Sequence, residues 1–113
     1  MSGNVTFIAP PPGLSPLVDF DLAPVAEADG LYTLQSAQAP AIRLFVIDAP
    51  VYLPDYAPEV SEQQLESIGA SDSGDVRVLV VTTINDSGPS ANLMAPILMH
   101  ATSGEATQVI LEG

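Results

Sequence analysis

In Leu17-Val18-Asp19-Phe20-Asp21-Leu22, the apolar residues Val18, Phe20 and Leu22 share one side and Asp19 and Asp21 the other. A repeat of two is the signature of a half-buried strand. The pattern sets the fold class, because its neighbours read the same way. Residues 5–9 form a short strand candidate ahead of it, followed by a turn at residues 10–13, Pro10-Pro11-Pro12-Gly13. Leu31–Ser36 and residues 41–48 follow it. In residues 41–48, Ile42, Leu44 and Val46 alternate with Arg43, Phe45 and Ile47, so both faces are largely apolar. A strand of that kind is covered on both sides. Residues 76–84 are rich in β-branched side chains and read as another central strand. Residues 93–101 and 106–111 complete the set, joined by the hairpin loop Thr102-Ser103-Gly104-Glu105. Pro96 lies inside the first of these and lacks a donor, so it marks an edge or a bulge.

One helix is signalled between the strands. Ser61 suits its N-cap and Gln64 completes a capping box. Val60 and Leu65 stand where a hydrophobic staple belongs, Leu65 and Ile68 supply a buried stripe, and Gly69 offers a left-handed stop. The segment is about two turns long and must pack on the sheet to persist. Short strands at tight spacing with no crossover helices exclude a parallel α/β fold. The expectation is an all-β protein: a small antiparallel β-barrel or sandwich of about seven strands with one short helix, in a single domain spanning residues 1–113.

Composition narrows the function. The chain has 113 residues, 47% of them apolar, enough for one core and too hydrophobic for disorder. There is no cysteine, which removes disulfides, thiolate metal sites and a Cys nucleophile. The first twelve residues lack the pattern of a signal peptide, and no apolar run nears the ~20 residues that span a bilayer. A cytoplasmic protein is expected. Fourteen acids oppose two bases, Arg43 and Arg77, for a formal net charge of -12. Such a surface repels nucleic acid and anionic membrane, and steers basic proteins inward. Acidic solubility alone is the plainer reading of the same charge.

Catalytic chemistry finds little to work with. His100 is the only histidine, at a strand end with no nucleophile elbow nearby, and a structural or surface role is expected. Asp72-Ser73-Gly74-Asp75 lacks the alternating acids of a calcium loop and reads as a turn. Asn85-Asp86-Ser87-Gly88-Pro89 is another polar loop between strands, and neither glycine cluster carries the lysine of a phosphate-binding loop. Asp48 and Asp55 are the best candidate carboxylate pair, yet both neighbour prolines in a loop. No cofactor or metal is expected. The unusual segment is residues 46–56, Val-Ile-Asp-Ala-Pro-Val-Tyr-Leu-Pro-Asp-Tyr. Tyrosines and apolar side chains on a proline-stiffened loop suit a protein interface at low ordering cost. Alternatively Tyr52, Leu53 and Tyr56 fold back to plug the barrel end.

The order of these blocks resembles the flagellar assembly factor family FliW along nearly the whole chain. Pro12-Gly13-Leu14 precedes a strand, Leu31-Tyr32-Thr33-Leu34-Gln35-Ser36 follows, and then come residues 46–56 and a helix ending at Gly69. Asn92-Leu93-Met94-Ala95-Pro96-Ile97 and Gln108-Val109-Ile110-Leu111 close the chain. The blocks at residues 53–56 and 92–97 are the most specific. Family members usually continue into a basic, proline-containing tail, whereas this sequence ends at Gly113, and it is more acidic than the family pattern. The resemblance implies a β-barrel-like fold without catalysis, binding of newly made flagellin, and binding of CsrA, a basic RNA-binding regulator that represses flagellin translation. Each partner would disfavour the other. A monomer is expected. The expected protein-binding surface comprises Asp48, Pro50, Tyr52, Leu53, Asp55 and Tyr56, with Asn92 and Pro96. Asn92 could instead simply end its polar loop. A barrel carrying a small apolar ligand is the competing reading, and an enzyme using His100, Asp48 and Asp55 is the third.

Overall fold

The computed structural model describes residues 3–11, 13–56, 58, 60–71, 73–85 and 88–110. Strands β1 (Gly3–Phe7), β2 (Asp19–Pro24), β3 (Leu31–Ser36) and β4 (Arg43–Asp48) come first. Two short helices follow, α1 (Ala49–Tyr52) and α2 (Glu62–Ser67), and then a 3-10 turn at Ser73–Asp75. Strands β5 (Val76–Asn85), β6 (Gly88–Ala91), β7 (Ile97–His100) and β8 (Glu105–Gln108) complete the chain.

The alternation in β2 is realised as read. Phe20 and Leu22 are buried, Asp21 is exposed and Asp19 is partly exposed. Adjacent antiparallel ladders run β1–β2, β2–β3, β3–β4 and β4–β5. They continue β5–β7 and β7–β8, and β8 meets β1 in parallel through Thr6↔Glu105 and Phe7↔Ala106. Seven strands therefore close into a barrel, which leaves no long edge to be capped. The far half of β5 extends beyond the ring and pairs with β6 as a hairpin, Thr82↔Ala91 to Asn85↔Gly88.

Every strand of the ring sends side chains inward. Val5, Phe7, Phe20, Leu22, Tyr32, Leu34, Val46, Leu79, Ile97, Met99 and Ala106 form one buried cluster. Phe7 and Phe20 meet edge to face with ring centroids 5.4 Å apart, a favoured aromatic geometry. Three strands carry consecutive apolar residues and need cover outside as well. Ile47 and Val80 form a second cluster with Ala49, over which Leu53 and Tyr56 pack. Ile68, Ala70 and Leu98 form a third, joined by Val60 and Leu65. The two helical segments are thus lids over the parts of the barrel that are apolar on both faces, as residues 41–48 implied.

Helix α2 has the anticipated construction. The Ser61 hydroxyl accepts from the Gln64 amide at 3.1 Å, and the Gln64 side chain accepts from the Ser61 amide at 2.9 Å. Gly69 takes a left-handed φ of 76° at its end.

Several boundaries differ from expectation. The first strand is shifted, running Gly3–Phe7 in place of residues 5–9, and the strand expected from residue 17 begins at Asp19. Pro96 lies outside its strand: β7 begins at Ile97, and Pro96 is fully buried just before it, its carbonyl accepting from Val109 N–H at 2.9 Å. A residue without a donor is tolerated there because no ladder bond falls on it. Strand β6 and helix α1 were not anticipated. Their four residues each fall below the length at which periodicity speaks. Of the expected turns and strands, Pro12, Asp72, Asp86, Ser87 and Leu111 lie outside the described residues.

The parallel seam is sealed by the turn after β7. His100 Nδ1 accepts from the amides of Thr102 and Ser103, both at 3.1 Å. Gly104 then passes so close to β1 that a Cβ on it would lie 2.4 Å from the Asn4 carbonyl oxygen. Its own carbonyl accepts from Thr6 N–H at 3.0 Å.

Candidate functional site

Residues 46–56 leave the barrel at Asp48. There the backbone is still extended, with φ −76° and ψ 111°, and Pro50 enters the first turn of α1, where a missing amide hydrogen costs nothing. The Asp48 amide donates to the Gly30 carbonyl at 2.8 Å, and its carboxylate lies 3.6 Å from the Arg77 guanidinium. The Leu53 amide closes the turn onto the Ala49 carbonyl at 2.7 Å, and the Tyr56 amide donates to the Leu53 carbonyl at 2.9 Å. The Tyr56 hydroxyl donates to the Leu93 carbonyl. That bond ties α1's continuation to the turn between β6 and β7. Partial burial pushes the Tyr56 phenol above its usual pKa.

The outcome is a rim with two levels. Leu53 and Tyr56 are half-buried and cover Ile47 and Val80, while Val51 and Tyr52 stand out, 55% and 46% exposed. Leu93 and Met94, across the Tyr56 bond, are also exposed. Between α1 and the β5–β6 hairpin runs an open groove of about 370 Å³. Leu31, Ile47, Tyr52 and Leu53 line one part of it, and Thr82, Ser90 and Ala91 the other. Five of these seven lining residues, all but Thr82 and Ser90, present largely apolar side chains. Asp55 is exposed beside the rim. Of the two basic residues, Arg43 lies over the Phe45 ring at 5.5 Å and Arg77 pairs with Asp48.

The residues expected at the binding surface differ in exposure. Pro50, Tyr52, Asp55 and Asn92 are exposed, and Leu53 and Tyr56 are partly so. Asp48 and Pro96 are corrected. The first is 8% exposed and turned to Arg77, and the second is fully buried just before β7. Leu93 and Met94 belong to the rim and were missed, because their segment reads as a strand. Their sole signal was an apolar pair between Asn92 and Pro96, which the tertiary turn exposes.

The other candidates fare differently. His100 spends Nδ1 on the β7–β8 turn. Among the described residues no three His, Asp or Glu side chains gather to hold a metal ion. Phe7, Phe20 and Leu34 fill the barrel interior, where a carrier would keep its ligand. No helix among the described residues is long and apolar enough to cross a membrane.

Fold and surface together define a small closed β-barrel whose outward distinction is an apolar rim on an acidic body. The protein-family model described as FliW protein matches residues 2–113. The flagellar assembly factor FliW of Heliobacterium modesticaldum is 32% identical over 103 residues, covering 89% of this chain and 67% of the relative. That of Shouchella clausii is 34% identical over 104 residues, covering 90% and 71%. A crystal structure of the flagellar assembly factor FliW superposes with a TM-score of 0.88 at 28% identity, over 97% of this chain and 78% of the other. The chain belongs to the FliW family.

Proposed function

We propose that this protein acts in flagellum assembly as a cytoplasmic, monomeric regulator that works by docking, binding flagellin and antagonising a CsrA-like repressor of translation. Membership in a family of flagellar assembly factors carries the reading. The rim supports it: exposed Val51 and Tyr52 beside an apolar groove suit an amphipathic helix laid in with its apolar face down. The net charge of -12 supports the second partner, since a basic regulator is drawn in over distance by a field of that sign. Two ligands that each weaken the other's binding to one protein make a switch, and the coupling is reciprocal by linkage. Export of flagellin would free the protein to act on the repressor.

Calorimetry tests this. Flagellin titrated into the protein should give saturable heat that changes little with salt. A CsrA-like protein should bind with an affinity that falls steeply as salt rises, because exposed charges are screened. The absence of heat with both partners overturns the proposal.

A further inference from the structure

We infer that Gly30, in the turn between β2 and β3, is a positioning residue that sets the pose in which α1 offers Val51 and Tyr52. The inference rests on the docking reading above. Helix α1 is a single turn of four residues, far too short to hold its own shape or direction. Its orientation comes from what it leans on. On one side it leans on Gly30: a Cβ there would lie 2.9 Å from Val51 Cγ1, 3.1 Å from Val51 Cβ and 3.0 Å from Tyr52 Cε2. The first is closer than carbon atoms accept and the other two are tight enough that the neighbour must give way, and valine is stiff at χ1, so it cannot swing clear cheaply. The Gly30 carbonyl also accepts from the Asp48 amide at 2.8 Å, at the residue where the chain turns from β4 into α1. The missing side chain thus lets the turn sit flush against two exposed residues of the rim. A side chain there would tilt α1 away and change the width of the groove that Tyr52 lines.

The fold supplies its own control. Gly13 has a φ of 83°, against 82° for Gly30, but a Cβ on Gly13 would meet nothing within 4 Å. Both positions impose the left-handed penalty on alanine, and only one pushes on α1. The experiment compares Gly13→Ala and Gly30→Ala in the whole protein. It reads urea stability, hydrogen exchange at the Asp48 and Leu53 amides, and flagellin affinity by calorimetry. Both variants should lose stability through the backbone penalty they share, and Gly30→Ala should lose more because of its collision with Val51. Only Gly30→Ala should speed exchange at those two amides and weaken flagellin binding by about tenfold or more, the loss expected when an interface anchor is displaced. Gly30→Asn accepts the left-handed backbone yet keeps a Cβ, so it should reproduce the effect even if the alanine variant folds poorly. In a Val51→Ala background, Gly30→Ala should cost less affinity than in the natural protein, because the two side chains collide.

Equal behaviour of the Gly13 and Gly30 variants at both amides and in binding overturns the inference. So does a binding loss that follows stability alone. If the unaltered protein binds no flagellin, the docking reading fails by itself, and the exchange comparison still decides whether Gly30 positions α1.

Discussion

Replacing Tyr56 with phenylalanine removes one oxygen atom and, with it, the bond from Tyr56 to the Leu93 carbonyl that joins the two halves of the rim. The ring stays and continues to cover Ile47 and Val80. Leu93 is 41% exposed, so its carbonyl can turn to water and leaves no buried orphan. The loss should therefore be that of an ordinary hydrogen bond, about 0.5–1.5 kcal/mol. For a chain of this size that corresponds to a fall of roughly 4 °C in Tm near neutral pH. The pH dependence follows from the raised phenol. A group whose folded pKa lies above its unfolded value of about 10 stabilises the fold fully below pH 10, and the contribution drains away as pH rises through the folded value. The advantage of the natural protein over Tyr56→Phe should thus shrink between neutrality and about pH 10.5. Tyr32 and Tyr52 are present in both proteins and cancel. Urea denaturation of both proteins at the two pH values checks this. A stability gap that is absent at neutral pH, or that does not shrink in alkali, refutes the reasoning.

Phe20→Ala should cost about 3–5 kcal/mol in urea denaturation, because Phe20 is fully buried against Phe7 at the centre of the barrel. A loss below about 2 kcal/mol would mean that the interior is not the packed core described. Gly104→Ala should destabilise more than Gly13→Ala, although both glycines have left-handed φ, since only the former drives a Cβ into the Asn4 backbone. Hydrogen exchange at Thr6 and Ile8, whose amides donate to Gly104 and Ala106 across the parallel seam, should accelerate in the Gly104 variant alone. Unchanged protection there would show that the seam does not depend on that approach.

Much of the architecture was legible because strands announce themselves by alternation and covered strands by its absence. Residues 17–22 gave one wet face, and residues 41–48, apolar on both faces, demanded cover on both sides. The lid over Ile47 meets that demand. The capping box at Ser61 was readable because a cap is a local bond between residues three apart. Strand β6 and helix α1 escaped, each too brief for a period to register. The choice between an exposed and a folded-back aromatic segment could not be made locally, and the structure divides it: Tyr52 faces out, while Leu53 and Tyr56 are half-buried.

The chain's order of residues was sufficient for what depends on near neighbours: the all-β class, the single capped helix, the acidic surface and the resemblance to FliW. Closure of the ring through the parallel contact of β1 with β8 required the folded structure. So did the burial of Pro96, the meeting of Gly30 with Val51, and the joining of residues 49–56 to Leu93 and Met94. Each of these brings together residues far apart in the chain, where burial and steric fit are set by the whole barrel and no local period carries the information.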